Sequence, residues 1–161
     1  MKPMSSGYAD VNGIKLYHEI YGQGEPLVLI HGGLTTIGEM QGWVQPLAKT
    51  RRVIAVEMQG HGRTADTERP MIFATMGDDI TALMNHLKIP KADVVGHSFG
   101  GAIAIRAAIQ HPDKVRRCGD LVASRQVRLV SGDARGNEPS RRGAGRKHDA
   151  DADGQVFEAM G

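Results

Sequence analysis

The chain has 161 residues, a formal net charge of +2, and 40 % hydrophobic residues. This length suffices for one domain with a hydrophobic core. The small net charge argues against a nucleic-acid or membrane-surface partner. We also find no apolar run of about 18 residues, so the sequence predicts no transmembrane helix.

Cysteine and histidine usage narrows the class of protein further. Cys118 is the single cysteine, which excludes an internal disulfide framework and fits a reducing compartment. The first residues lack the apolar middle of a signal peptide, so we expect a cytoplasmic protein. The seven histidines are scattered without the spacing of metal ligands, and we therefore expect neither a metal nor a cofactor.

The first elements predict a β-hairpin followed by a buried strand. Residues 9–11 and 14–21 have strand patterns and are joined around Asn12-Gly13, which is a signal for a type I′ turn. Residues 27–30 form a continuous apolar run, as expected of a strand buried on both faces of a parallel sheet.

Helices and strands alternate in the residues that follow. Apolar spacing predicts three helices, over 36–48, 73–87 and 101–110. It also predicts two further buried strands, over 52–56 and 93–95, and another strand that begins within 111–117. A hairpin followed by such alternation predicts an α/β architecture with a mostly parallel sheet. Ligands bind such sheets beyond the carboxyl ends of the strands.

A Gly-x-Ser-x-Gly motif lies between the last predicted strand and its helix. Gly96, His97, Ser98, Phe99 and Gly100 match a nucleophile elbow, in which the serine occupies a sharp strand-to-helix turn. The glycines leave room for a tight turn, and the first amides of the helix point at an anion forming beside the serine. The alternative is a Gly-rich turn in a βα unit with an idle serine.

A second glycine pair follows the strand over 27–30. In the segment His31-Gly32-Gly33, the Gly33 N–H is a candidate oxyanion donor, with the Phe99 N–H as the second donor. Leu34 is the alternative donor if the loop register differs by one residue. A plain strand-exit turn remains the other interpretation of this segment.

Residues 8–117 resemble the N-terminal part of an α/β-hydrolase. The matching features are the hairpin and four motifs: His31-Gly32-Gly33, the Gly-punctuated loop 57–64, the elbow 96–101 and the segment 111–115. Similar proteins include esterases, enol-lactonases, C–C bond hydrolases and cofactor-free haloperoxidase-like enzymes. Glu57 is a departure, because the loop of the family usually begins with Asp; we regard that position as structural.

The resemblance implies Ser98 as the nucleophile and the amides of Gly33 and Phe99 as oxyanion donors, acting on a small-molecule carboxylic ester or related carbonyl. His61 precedes the serine, whereas hydrolases of this type take their histidine after it. We therefore interpret His61 as a structural loop residue. The acid and the base are expected from loops later in the chain.

Composition changes after Arg117. Only seven of the last 44 residues are Leu, Val, Ile or Phe, a share below the roughly 20 % that a core needs. We therefore expect 118–161 to be a poorly structured tail, with 138–153 disordered, and the hydrolase fold to be incomplete. Codons can be chosen for residues 125–139 so that a one-base shift of the reading frame gives a sequence resembling a cap segment of the family. We therefore expect the tail to be a frameshifted reading of an originally longer hydrolase, which is truncated in this chain.

Two tail residues would complete the chain order Ser…Asp…His. Asp133 follows a segment that faintly resembles the family's strand before its acid, and His148 comes later, so they are weak candidates for the acid and the base. Arg135 occupies the position of the motif's usual second acid. We therefore expect a serine hydrolase fold with little or no turnover.

The alternative function is an inactive fragment or a non-catalytic binding module of the same fold. A sheet that lacks its later strands would leave a strand edge open, which predicts self-association.

Overall fold

A computed structural model describes residues 1–121 and the backbone of two later strands, 126–131 and 157–158. The strands are β1 Ser5–Val11, β2 Ile14–Tyr21, β3 Glu25–Ile30, β4 Arg51–Glu57, β5 Ala92–Gly96, β6 Val115–Leu121, β7 Gln126–Ser131 and β8 Phe157–Glu158. The helices are α1 Gln41–Leu47, α2 Phe73–His86 and α3 Phe99–Gln110. Asp133, His148 and the segment 138–153 lie outside the described residues.

The described strands form one mixed sheet with the order β1-β2-β4-β3-β5-β6-β7-β8. The β1–β2 and β2–β4 pairs are antiparallel, whereas β4, β3, β5 and β6 run parallel to one another. The expected fold class, an α/β fold with a hairpin and a parallel centre, is confirmed. β7 pairs antiparallel with β6, and β8 with β7.

The hairpin forms as the turn signal predicts. Asn12 has φ 45° and Gly13 has φ 82°, which are the positive values that a type I′ turn requires at both central positions. β1 begins at Ser5, four residues earlier than predicted, because Ser5 pairs with Ile20 of the long strand β2.

Two hydrophobic clusters cover the two faces of the sheet. Val28 and Ile30 of β3 pack with α2 and α3, whereas Leu27 and Leu29 pack with α1 on the other face. Because successive residues of a strand point to opposite faces, a strand buried on both faces must be apolar throughout. This explains the continuous apolar run of β3.

Two helices begin at other residues than predicted. α1 starts at Gln41 rather than at residue 36, because the bonds just before it, from the Met40 N–H to the Ile37 carbonyl and from the Gln41 N–H to the Gly38 carbonyl, span three residues and form turns. α3 starts at Phe99, directly after Ser98, rather than at residue 101.

A further difference concerns the predicted start of the poorly structured tail at residue 118. β6 continues through Leu121, because Cys118 and Gly119 pair with β5. Leu121 is buried in the α1-side cluster. Pairing with β5 therefore determines the end of this strand, whatever the composition of the residues that follow. Within the described residues, no helix is both long and apolar enough to cross a bilayer.

Candidate active site

Ser98 occupies a sharp turn between β5 and α3, with φ 51° and ψ −106°. Side chains other than glycine rarely adopt this backbone conformation, which costs about 1–3 kcal/mol. Two backbone bonds fix the turn around it: the His97 N–H donates to the Ile30 carbonyl at 3.0 Å, and the Gly100 N–H donates to the His97 carbonyl at 2.9 Å. Ser98 is exposed to solvent.

Close backbone approach explains the two glycines of the motif. A Cβ on Gly96 would overlap the backbone of Gly100. A Cβ on Gly100 would lie 2.5 Å from the carbonyl oxygens of Ile30 and His31. These two glycines allow α3 to start directly against the end of β3, and so bring the β3 loop to the serine.

The peptide group between Gly32 and Gly33 is held from its carbonyl side. The Gly32 oxygen accepts from His31 Nδ1 at 2.6 Å, from the Thr35 hydroxyl at 2.9 Å and from the Thr35 N–H at 3.4 Å. In a trans peptide the C=O and the following N–H point in opposite directions. Anchoring this carbonyl therefore orients the Gly33 N–H away from it.

Gly33 lies beside Phe99. A Cβ on Gly33 would lie 3.6 Å from Phe99 Cβ, which is ordinary contact. Within residues 1–121, neither the Gly33 N–H nor the Phe99 N–H has a hydrogen-bond acceptor. Two open backbone donors therefore lie on neighbouring residues next to Ser98.

Leu34, the alternative donor, has its amide engaged. The Leu34 N–H donates to His61 Nε2 at 3.3 Å. Its backbone is left-handed at φ 59°, and its side chain is fully exposed. The geometry therefore favours Gly33 over Leu34 as an open donor.

The two histidines near the loop have both ring nitrogens occupied. His31 Nδ1 donates to the Gly32 carbonyl, and its Nε2 accepts from the Met58 N–H at 3.0 Å. His61 Nδ1 lies 2.9 Å from the Gln59 carbonyl, while its Nε2 accepts from Leu34. Burial lowers the pKa of His31 below 6.5, so the ring is neutral. Both are structural bridges, as the sequence predicts for His61.

A row of rings forms one wall of the site. The centroids of His31 and His61 are 4.7 Å apart, those of His61 and Phe99 5.6 Å, and those of Phe99 and Phe73 5.6 Å. Phe73 is the first residue of α2 and is 43 % exposed. The wall beside the elbow is therefore largely apolar and reaches from the buried sheet edge to solvent.

Glu57, the departure from the family motif, is fully paired. Its carboxylate is buried and accepts from Arg63 Nε at 3.0 Å, from Arg63 Nη2 at 2.7 Å and from the Ile37 N–H at 3.3 Å. Burial by itself raises the pKa of Glu57, but the Arg63 and Ile37 bonds bring it below its ordinary value. A Cβ on Gly62 would overlap this carboxylate. Glu57 thus shapes the loop, which supports the structural role expected for it.

One polar contact at the elbow was not predicted. The Ser98 N–H donates to Asp120 Oδ1 at 3.0 Å. Asp120 lies on β6 opposite Gly96 of β5. Asp120 was not predicted at the site because the change in composition assigns residues from 118 onward to the tail. A strand continuing after Val115 in register with β5 was the signal that could have found it.

Within residues 1–121, no hydrogen bond reaches the Ser98 hydroxyl. The ring nitrogens of His31 and His61 are bonded elsewhere. Asp133 and His148, the weak candidates for acid and base, lie outside the described residues and stay predictions. No group of three potential metal ligands occurs among the described side chains.

Comparison with known proteins gives the family. The family model of the alpha/beta hydrolase fold matches residues 25–123, more than half of the chain. The chain belongs to the α/β hydrolase fold family. The expected resemblance is thereby confirmed.

Individual members of the family cover the same part of the chain. A 2-hydroxymuconate semialdehyde hydrolase from a Pseudomonas species is 41 % identical over 111 residues, which are 65 % of this chain and 38 % of the relative. A soluble epoxide hydrolase from a Corynebacterium species is 36 % identical over 112 residues, covering 68 % of this chain and 38 % of the relative.

A solved structure agrees with these matches. The enol-lactonase from Burkholderia xenovorans superimposes with a TM-score of 0.66 at 30 % identity, over 69 % of this chain and 44 % of the lactonase. The chain therefore spans less than half the length of these three family members.

Proposed function

We propose that this chain carries the nucleophile and the oxyanion donors of a serine hydrolase that acts on a carboxylic ester, a lactone or a related carbonyl. The observation that carries the proposal is the position of Ser98 in a strained, exposed turn beside the open amides of Gly33 and Phe99. Relatives named as hydrolases and as an enol-lactonase support this reaction class.

The proposed chemistry begins at the serine hydroxyl. Ser98 Oγ attacks the substrate carbonyl carbon, and the carbonyl oxygen becomes an oxyanion that accepts from the Gly33 and Phe99 amides. The collapse of this intermediate expels the alcohol and leaves an acyl-serine, which water then hydrolyses to the acid. The positive end of α3 adds to the stabilisation of the anion.

Turnover also needs a base to take the hydroxyl proton and to pass it to the departing alcohol. Because the rings of His31 and His61 are bonded elsewhere and no hydrogen bond reaches the Ser98 hydroxyl within residues 1–121, we place the base outside this part of the chain. Chain order makes His148, with Asp133, the candidate. The small-molecule substrate is the partner we propose, and self-association through a sheet edge stays a prediction.

A boronic acid tests the nucleophile and the donors without requiring the base. Phenylboronic acid should add to Ser98 Oγ, with loss of the hydroxyl proton to solvent, and give a tetrahedral boron signal in NMR, because the adduct places an oxygen near the two amides. Ser98→Ala should abolish the signal, and Ser5→Ala, which changes an exposed serine of β1, should leave it intact. A wild-type chain that forms no adduct contradicts the proposal.

The second candidate is a non-catalytic binding module, which the lack of a base within residues 1–121 favours. Hydrolysis of p-nitrophenyl acetate separates the two. We expect the wild type to be no faster than Ser98→Ala unless His148 acts as the base. A Ser98-dependent rate that His148→Gln abolishes would place the complete hydrolase machinery in this chain, whereas equal rates would support a binding role.

A further inference from the structure

The backbone of Ser98 needs external support. Its angles of φ 51° and ψ −106° lie close to those of the first central residue of a type II′ turn, a position that favours glycine. A side chain stays in such a region only when its surroundings hold it there. Ser98 carries a Cβ, so the groups bonded to its peptide units decide whether the elbow keeps its shape.

Four hydrogen bonds hold the peptide units of the elbow. Three of them join backbone groups: the His97 N–H donates to the Ile30 carbonyl, the Gly100 N–H to the His97 carbonyl and the Ala102 N–H to the Ser98 carbonyl. The fourth is the bond from the Ser98 N–H to Asp120 Oδ1, 3.0 Å long. It is the bond made by the serine's own amide, and the one whose acceptor is a side chain.

Asp120 is brought to the elbow by strand register. It pairs with Gly96, two residues before Ser98, across the parallel β5–β6 pair. A Cβ on Gly101 would lie 2.7 Å from the Asp120 carboxyl carbon, so the carboxylate lies over the first turn of α3. A negative charge is favoured at the amino end of a helix. Register, close contact with Gly101 and helix polarity all place the carboxylate at this amide.

We propose that Asp120 is a positioning residue for the nucleophile: its carboxylate accepts from the Ser98 amide and holds the serine in the conformation that exposes its hydroxyl beside Gly33 and Phe99. The meaning of this role for catalysis rests on the proposed hydrolase function. Asp120 itself touches no reacting atom in this scheme.

Amide hydrogen exchange and boronic acid affinity test the proposal with three variants. In Asp120→Ala the Ser98 amide loses its acceptor, so its exchange should accelerate, and the affinity for phenylboronic acid should fall about tenfold, the effect of one lost hydrogen bond. Asp120→Asn keeps an acceptor oxygen in nearly the same shape, and should restore both the slow exchange and most of the affinity. Asp113→Ala, an exposed carboxylate before β6, should change neither quantity.

The outcomes separate this inference from the proposed function. Unchanged Ser98 exchange and affinity in Asp120→Ala would overturn the positioning role, and so would an Asp120→Asn variant as weak as Asp120→Ala. If the wild type forms no boron adduct, the hydrolase proposal fails, but exchange at Ser98 still tests the contact with Asp120. If Asp120→Ala does not fold, the comparison of Asp120→Asn with the wild type tests the positioning role. Exchange at the Ser98 amide must then remain slow in Asp120→Asn.

Discussion

The two ends of the parallel strands are built in opposite ways. At the amino ends, Asp93 of β5 accepts from Arg51 of β4 and from Arg116 of β6, and Arg116 also reaches Glu25 of β3. One network of charges thus joins the beginnings of four strands. At the carboxyl ends of β3 and β5, glycines, a strained serine and open backbone amides take the place of charged pairs, whereas Glu57 at the end of β4 keeps its ion pair with Arg63.

This difference indicates which end is available to a ligand. The Asp93 side chain is 2 % exposed and each of its oxygens has an arginine partner, so this end satisfies its own charges. The amides of Gly33 and Phe99 have no acceptor within residues 1–121. Backbone donors left open beside a strained residue are typical of functional sites, whereas a closed charge network is typical of a structural one.

The largest expected effect comes from adding a Cβ where α3 contacts the backbone at the carboxyl end of β3. In Gly100→Ala the new Cβ would meet the Ile30 and His31 carbonyl oxygens at 2.5 Å. Because backbone atoms cannot move aside as side chains can, we expect a loss of at least about 3 kcal/mol in the free energy of unfolding. Urea denaturation measures it. Gly42→Ala is the control, since a Cβ there meets nothing within 4 Å; equal stability of the two variants would contradict the prediction.

Removing the carboxylate that Arg51 and Arg116 share should destabilise the amino ends of the strands. Asp93→Ala leaves Arg51 and Arg116 without their common partner, and should lower the free energy of unfolding by about 2–4 kcal/mol. Asp10→Ala removes the exposed pair with Lys15, whose side chain is 74 % exposed, and should cause no measurable change. If both variants unfold at the same urea concentration, the network does not stabilise the strand ends.

Acid should weaken the fold through its buried histidines. Burial lowers the pKa of His18 and of His31 below 6.5 in the folded chain. At a pH between the folded and the unfolded pKa values, the unfolded chain binds more protons than the folded chain. The contribution of the neutral histidines to the free energy of unfolding is therefore fully present above about pH 6.5 and is lost as pH falls through the folded pKa. The loss is up to about 1.4 kcal/mol per pH unit for each histidine.

The measurement is urea denaturation at several pH values above and below neutrality. His31→Gln should have a shallower pH dependence than the wild type, because one of the two histidines no longer titrates. A wild-type free energy that stays constant on mild acidification would contradict the prediction.

The smallest expected effect is a gain in stability. Leu34 has φ 59° and a fully exposed side chain, so Leu34→Gly relieves backbone strain and removes no buried contact. We expect stabilisation by about 0.5–1 kcal/mol, seen as a higher Tm. Ile105→Gly, at a half-exposed position inside α3, is the control and should destabilise by about 1 kcal/mol. A loss of stability in Leu34→Gly would mean that the side chain makes a contact that its exposure does not indicate.

The features that sequence predicted are those set by local pattern. The turn at Asn12-Gly13, the apolar strands and the elbow around Ser98 each carry their signal within a few neighbouring residues. Their order along the chain then sufficed for the fold class, because a hairpin followed by alternating strands and helices leaves few architectures.

The features that sequence missed depend on partners distant in the chain. Asp120 lies at the elbow because β6 pairs with β5, and composition gave no sign that this strand continues. Arg69 forms two bonds to the buried Asp79, at 2.9 and 2.7 Å, and two to Gln59, which fastens the loop before α2. No local pattern links these residues, since a charged side chain in a polar loop is ordinarily solvated.

The anchored peptide group between Gly32 and Gly33 has a thermodynamic consequence. Its carbonyl already accepts from three donors, so its plane is fixed before any ligand arrives. A ligand that accepts from the Gly33 N–H therefore does not have to immobilise the donor, and little conformational entropy is lost at that contact. Thr35→Val removes the hydroxyl donor and keeps the N–H donor, so it should leave the enthalpy of such a contact nearly intact and make its entropy less favourable.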